Sequence, residues 1–359
     1  MTFARDLASF ADSASQNLSN RNLIINGAMQ IAQRGTSTTG ITTDGIYTAD
    51  RWNSQIGTLG TWTQTLENDA PTGSGFRKSL KWLCTTADAS PAAGDYMICD
   101  YRFEGQNLQQ IAKGTSSAKQ LSLSFWVKSN VTGTYIVNLY DVDNTRFVAA
   151  SYTVSASATW EKKTITLPAD TTGVFDNDNA YSLDLQFWLG AGTTFTSGTL
   201  GTSWATNTNA NRAVGQTNLA SATNNYWQIT GVQLETGPAA TPYEFKPYDV
   251  ELAQCQRYFI RYSDAQYYAQ WTSGAYLRFQ ILNPVTQRVS GTFSYTGTLQ
   301  TNIYYEVAGV GTSGTVNALS DVSATVNTHL LQVTFSANPS AGAGRLITSS
   351  SNFDFSAEL

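Results

Sequence analysis

What most constrains this chain is a run of short apolar-alternating segments, unbroken by helical periodicity, from residue 21 to about residue 247. In order they are NLIINGAMQIAQ (22–33), SLKWLCTT (79–86), YMICDYRF (96–103), LSLSFWVKS (121–129), TYIVNLYDV (134–142), RFVAASYTV (146–154), WEKKTITLP (160–168), YSLDLQFWLG (181–190) and NNYWQITGVQLE (224–235). Gly, Asn, Asp, Ser and Thr clusters separate them, the punctuation expected between strands. Period-two alternation puts Leu121, Leu123, Phe125 and Val127 on one face, and Leu183, Leu185, Phe187 and Leu189 on another, and each set must point inward. So many strands with no helix between them predict an all-β fold, a jelly-roll β-sandwich. The composition agrees. Aromatic residues make up 12% of the chain and charged residues only 13%, about half the usual charged share, so Thr, Ser, Asn, Gln and Gly must do the solvating.

The punctuation also sets the domain organisation. Pro238, Pro242 and Pro247 in GPAATPYEFKPY (237–248) enforce an extended connection, which predicts the end of the sandwich (21–247). Asp249 stands where an N-cap would, and Leu252, Cys255, Phe259 and Tyr262 recur at helical spacing, predicting a short linking helix over 248–262. Alternation then returns in AYLRFQIL, GTFSYTG, NIYYEVA, HLLQVTFSA and NFDFSAEL, enough for a smaller C-terminal β-domain over 263–359. Residues 1–20 differ from all of this: Phe3, Leu7, Phe10, Ala14 and Leu18 form the narrow apolar stripe of an N-terminal helical arm. The arm either packs on its own domain or docks on another chain. With Leu252 and Phe259 it offers surface too small to form a core alone, so assembly through these residues, as a homotrimer, is expected.

Charge and motifs exclude several classes of function. A net charge of −5 leaves no excess of Lys or Arg to neutralise phosphates, which argues against nucleic acid and against membrane insertion or anionic membrane as partners. The N-terminus lacks the apolar core of a signal peptide, so export by the usual route is not expected. Three cysteines without CxxC spacing predict reduced thiols, with Cys84 and Cys99 able to face each other across a hairpin. The single histidine, His329, opens a strand and has no GxSxG or HExxH motif to serve. GVGTSG (309–314) fits GxGxxG but no helix follows it to receive a phosphate. The chain therefore reads as a non-enzyme without a cofactor. The DVDN and FDNDN loops carry Asp141/Asp143 and Asp176/Asp178, oxygen ligands of the kind Ca²⁺ takes, although plain turns are the preferred reading.

What remains is the face opposite the core. Trp126 and Lys128, then Asp184, Gln186 and Trp188, then Tyr226 and Gln228 all alternate outward. Rings that stack on sugar C–H faces, mixed with amides and charges that bond hydroxyls, make a glycan site, provided the three strands share one sheet. The competing reading is that the long polar stretch 190–224, or another subunit, covers this face.

Several segments together carry a resemblance. NRNLIINGAMQIAQRGTS (20–37), YTADRWN (47–53), LSLSFWVKS and ITGVQLETGPAATPYEFKPYDVELAQCQRYF (229–259) resemble the shared framework of bacteriophage tail-fibre and minor virion structural proteins. LRFQILNPVT (277–286) and the closing FSAEL (355–359) fit as well. The resemblance implies a carbohydrate-binding-module-like sandwich with NLIINGAMQ as first strand and WQITGVQLE as last. It also implies a place on the virion, reached by assembly in the host bacterial cytoplasm, often as a homotrimer among other virion proteins, with a role in host attachment or capsid decoration. A glycan-degrading tail enzyme and a purely structural adaptor between virion parts are the alternatives.

Overall fold

The computed structural model describes residues 20–264, 266–272, 276–298, 303–307, 310–311, 316–335, 343–348 and 351–359. The arm residues Phe3, Leu7, Phe10 and Leu18 lie outside them. The chain divides into two compact units, one running to Tyr248 and the other from Asp249 to Glu358.

The first unit carries β1 (Ser37–Ile41), β2 (Trp52–Gly57), β3 (Thr61–Glu67), β4 (Ser79–Thr86), β5 (Tyr96–Glu104) and β6 (Leu121–Ser129). After these come β7 (Gly133–Asp141), β8 (Arg146–Val154), β9 (Glu161–Leu167), β10 (Tyr181–Ala191), a single helical turn α1 (Thr193–Thr196), β11 (Ala205–Thr206) and β12 (Tyr226–Thr236). They form two six-stranded antiparallel sheets: sheet I in the order β1-β3-β4-β12-β6-β9 and sheet II in the order β11-β8-β7-β10-β5-β2. This is an all-β sandwich. Its interior is filled by the inward half of each alternation, including Trp62, Trp82, Phe125 and Trp227 from sheet I and Trp52, Tyr101, Tyr135 and Phe187 from sheet II. Each such side chain removed from water contributes about 2 kcal/mol, which is what holds the register.

One expected strand is not a strand. Residues 22–33 form successive turns, because the Asn26 carboxamide takes over the backbone's partners: its Oδ1 accepts from the Gln30 and Ile31 amides at 2.8 and 2.9 Å, and its Nδ2 donates to the Ile31 and Asp50 carbonyls. Asn26 itself has φ 59°, a conformation Asn tolerates better than most residues. The segment still lies beside β12, with the Leu23 amide on the Leu234 carbonyl and the Val232 amide on the Gly27 carbonyl. β12 bulges between Thr230 and Gln233. Gly231 has φ +63° there, and a Cβ on it would stand 2.5 Å from the Phe76 ring.

The two cysteines are not hairpin partners. Cys84 lies on β4 in sheet I and Cys99 on β5 in sheet II; both point into the core as free thiols, and burial pushes both thiols up.

In the second unit, α2 (Tyr248–Gln256) is followed by β13 (Phe259–Ser263), β14 (Gln266–Trp271), β15 (Tyr276–Leu282), β16 (Thr292–Thr296), β17 (Ile303–Val307), β18 (Val310–Gly311), β19 (Val316–Ala324), β20 (Thr328–Phe335), β21 (Ala343–Thr348) and β22 (Asn352–Ser356). A three-stranded sheet, β13-β22-β16, and a seven-stranded one, β18-β17-β21-β14-β15-β20-β19, share a core that includes Ile260, Leu277, Phe279, Leu331, Val333, Phe353 and Phe355. The expected helix over 248–262 is corrected here. It ends at Gln256, and Phe259 opens β13, paired with Ser356 of β22. Phe259 is buried and Leu252 half-buried within the unit. The strand wins because alternation from Ile260 to Tyr262 places both on the core side.

Candidate functional site

The strand order divides the seven outward residues between two faces. Trp126, Lys128, Tyr226 and Gln228 belong to adjacent strands of sheet I, with Lys128 opposite Gln228 and Trp126 opposite Thr230. Asp184, Gln186 and Trp188 belong to β10 in sheet II. One seven-residue site is therefore ruled out by topology.

On sheet I the outer residues pair close to solvent. Lys128 Nζ lies 2.7 Å from Asp69 Oδ2 and 5.8 Å from the centre of the Trp160 ring, and Trp160 Nε1 donates to Asp69 Oδ1 at 3.2 Å. Lys81 Nζ sits 5.1 Å from the Tyr226 ring centre. Gln228 is buried and its amide reaches the Ser79 hydroxyl only at 3.5 Å. Burial tends to raise the Asp69 carboxyl, but the bonds from Lys128 and Trp160 outweigh it, so the group sits below its usual range.

On sheet II the arrangement is different. Register aligns Asn53, Asp100, Gln186 and Asn138 in one row across β2, β5, β10 and β7, and Arg102, Asp184 and Tyr140 in the next. Asp100 and Asp184 thus stand diagonally on neighbouring strands, both fully buried. Asn53 Nδ2 donates to both Asp100 oxygens at 2.9 and 3.1 Å, and Arg102 Nε adds a third bond at 3.2 Å. Asp184 Oδ2 accepts from Gln55 and Gln186 at 3.0 and 2.7 Å. Asp184 Oδ1 is buried and makes no close hydrogen bond among the described residues, and the Tyr181 phenol interacts with this carboxyl. Burial first, and then mutual repulsion of the two carboxylates, holds Asp184 well above the usual carboxylate range, and burial also raises Asp100 despite Arg102.

The cover of this face comes from the 190–224 stretch, as the competing reading expected. Phe195 and Ala213 from it pack with Ile98, Ile136, Phe147, Ala149 and Trp188 in a second apolar cluster. Arg212 projects its guanidinium 5.0 Å from the Tyr140 ring centre and 5.1 Å from that of Trp188, and Nη2 donates to Gln186 Oε1 at 2.5 Å. Its Nε is buried with no partner among the described residues. Trp188 is fully buried beneath, donating to Asn138 Oδ1 at 2.6 Å, so it is floor and not a stacking platform. Half-buried Tyr96, Tyr140 and Tyr181 border the polar rows. The result is a polar floor with tyrosine margins, in which Asp184 Oδ1 and Arg212 Nε make no close hydrogen bond among the described residues.

Asp100, Arg102, Asn53, Gln55 and Arg212 were not singled out by the sequence. The signal for Asp100 and Arg102 was present in YMICDYRF, where Met97, Cys99, Tyr101 and Phe103 all face the core. The acidic loops are otherwise engaged: Asp143 Oδ2 accepts from the Asp176 amide, Asp178 Oδ1 from the Ala180 amide, and Asp141 bonds Lys113 and Asn144. Among the described residues no group of three or more His, Cys, Asp and Glu could hold a metal ion. His329, in the second unit, is buried over Phe355 and bonded to Asp321 and Gln287.

No protein-family model matches the chain, and no curated protein matches it in sequence. Among solved structures it is similar to the enzymatically active domain of bacteriophage CBA120 tailspike protein 4, with 14% identity, TM-score 0.31, and coverage of 60% of this chain and 22% of that one. It is also similar to TmCBM61 in complex with beta-1,4-galactotriose (7% identity, TM-score 0.31, 61% of this chain and 100% of that one). A third is the family 11 carbohydrate-binding module of cellulase Lic26A-Cel5E of Clostridium thermocellum (12% identity, TM-score 0.28, 56% and 95%).

Proposed function

We propose that this chain is a non-enzymatic structural protein of a bacteriophage particle, a fibre or a capsid decoration, that helps hold the particle to glycans of the host surface through the outer face of sheet II. The virion role, and with it assembly as a homotrimer, rests on the sequence resemblance. The glycan role rests chiefly on one observation: two buried carboxyl groups and three side-chain amides (Asn53, Gln55, Gln186) share one sheet face, with Asp184 Oδ1 and Arg212 Nε making no close hydrogen bond among the described residues. A sugar hydroxyl both donates and accepts, so it answers both, while Tyr96, Tyr140 and Tyr181 offer ring faces to the C–H surfaces. Each such contact is worth about 1 kcal/mol, which makes a single site weak and leaves avidity to many copies on a particle.

The test is an array of bacterial-surface oligosaccharides probed with multimeric protein. The double variant Gln55→Ala, Tyr140→Ala is expected to bind about ten-fold less, and Trp126→Ala, on the opposite face, as the parent does. Loss in Trp126→Ala alone, or no binding by the parent, overturns the reading. A second reading, a glycan-degrading tail enzyme, is favoured by the same pair, since a carboxyl kept protonated beside a second carboxylate is what general-acid cleavage of a glycosidic bond uses. Reducing ends released from such a glycan by the parent and not by Asp184→Asn would establish it.

A further inference from the structure

The Lys113 side chain is 2% exposed, and its ammonium faces four oxygens and two aromatic rings. Its Nζ is 2.5 Å from Asp141 Oδ2, 3.1 Å from Asp170 Oδ2, 3.0 Å from the Thr172 carbonyl and 2.8 Å from the Gly173 carbonyl. An ammonium has three protons to donate, yet four oxygens surround it, so the cage offers more acceptors than its occupant can use. Two carboxylates, one from the end of β7 and one from the loop after β9, plus two successive backbone carbonyls are instead the donor set of a hard divalent cation, which takes about 6–8 oxygens with loose geometry. The two cage carboxylate oxygens are held in place by fixed donors, Asp141 Oδ2 by Asn144 Nδ2 at 3.0 Å and Asp170 Oδ2 by Arg146 Nε at 2.9 Å. Asp141 Oδ1 accepts from the Asn144 amide at 3.0 Å. Asp170 takes the Arg146 guanidinium in a two-point bond at 2.9 and 3.1 Å and the Thr172 amide at 3.0 Å. Phe175 and Trp204 flank the ammonium at 5.1 and 5.0 Å from their ring centres.

We infer that the Lys113 ammonium is a tethered cation standing in a site of calcium type, and that this chain without the Lys113 side chain binds Ca²⁺ through Asp141, Asp170 and the Thr172 and Gly173 carbonyls. Charge sets the sign. Lys113 and Arg146 balance Asp141 and Asp170, so removal of the ammonium leaves one negative charge over, buried and turned toward the vacated space. Ca²⁺ needs oxygens at about 2.3–2.6 Å, a contraction of a few tenths of an ångström, and water can fill the rest of its shell in the room a lysine stem leaves. Mg²⁺ demands a tighter octahedron at about 2.0–2.1 Å and sheds water reluctantly, so it serves as the discriminating ion.

The experiment compares the full-length parent, Lys113→Ala and Lys113→Met by thermal unfolding and calorimetric titration with Ca²⁺, Mg²⁺ and EDTA. The parent is expected to respond to none of them. Lys113→Ala is expected to unfold at lower temperature, to bind one Ca²⁺, and to regain about 5 °C in Ca²⁺ at about 100 times its Kd, with little gain in Mg²⁺. Lys113→Met removes the charge but keeps the stem's bulk, and should be destabilised without rescue. No Ca²⁺ binding by Lys113→Ala, equal rescue of both variants, or stabilisation of the parent by Ca²⁺ each overturns the inference. If Lys113→Ala is recovered unfolded, refolding in Ca²⁺ but not in EDTA supports it, and refolding in neither overturns it.

Discussion

The two outer faces of the first sandwich are built from the same residue types and set in opposite conditions. On sheet I, Lys128, Asp69 and Trp160 meet at a face where the Asp69 side chain is 42% exposed, and solvent supplies whatever the protein does not. On sheet II, Asp100 and Asp184 are 0% exposed under a loop that brings its own arginine, so every donor and acceptor must be met by protein or by a ligand. An outward polar row is a statement about the sheet's alternation alone; whether it becomes a solvated surface or a closed polar site is decided by a loop far away in sequence. The contrast is testable side chain by side chain.

The largest difference is expected at the two tryptophans. Trp188 has 0% exposure, packs at 5.2 Å from the Phe195 ring centre and anchors Asn138, so Trp188→Ala leaves a cavity and an unmet acceptor and should cost about 3–5 kcal/mol in urea unfolding. Trp126, half-buried on the other face, should cost less than about half of that on truncation. Equal losses would mean that sheet I is covered as closely as sheet II.

A smaller difference separates the two cations. Arg102→Ala withdraws the charged partner from a buried Asp100 that keeps the Asn53 and Gln55 amides, for an expected loss of about 3 kcal/mol. Lys128→Ala breaks a pair whose carboxylate is largely solvated, for about 1 kcal/mol or less. A salt titration sharpens this, because added salt should erase the Lys128 effect and leave that of Arg102 in place.

How far the sequence alone reaches is visible in the same residues. Alternation placed Trp126, Asp184 and Trp188 off the core side, and that much holds because a strand's side-chain period is fixed by its backbone. It could not say that β10 lies in sheet II while β6 and β12 lie in sheet I, since strand order is set by long-range pairing that leaves no periodic mark. Turn chemistry was the other blind spot. NLIINGAMQIAQ has the apolar content of a strand, but one carboxamide, Asn26, captures the amides of Gln30 and Ile31 and curls the segment. Arg212 was invisible for a plainer reason: it stands in a polar stretch with few apolar anchors, and its importance comes from where Tyr140 and Trp188 meet it.

The subtlest expected contrast is in pH dependence, where the two faces should have opposite signs. Asp184 is held well above the usual carboxylate range in the native protein, so its contribution to stability is full below the unfolded value of about 4 and is lost as pH rises toward the native value. Across that interval the unfolded chain has released a proton that the native state retains, and stability falls by about 1.4 kcal/mol per pH unit. Asp69 is held below its usual range, so its smaller contribution is present above about pH 4 and fades as pH falls through the native value. Asp184→Asn substitutes a neutral group whose Oδ1 can still accept from Gln55 and Gln186, and it relieves the repulsion that raises Asp100. Urea midpoints of the parent and Asp184→Asn should therefore converge near pH 4 and separate upward, the variant becoming the more stable. Asp69→Asn should instead match the parent at the acid end and fall slightly below it at neutral pH. Parallel profiles for parent and Asp184→Asn would show that Asp184 is ionised in the native protein, and with that the closed polar floor of sheet II would be no different in kind from the open face of sheet I.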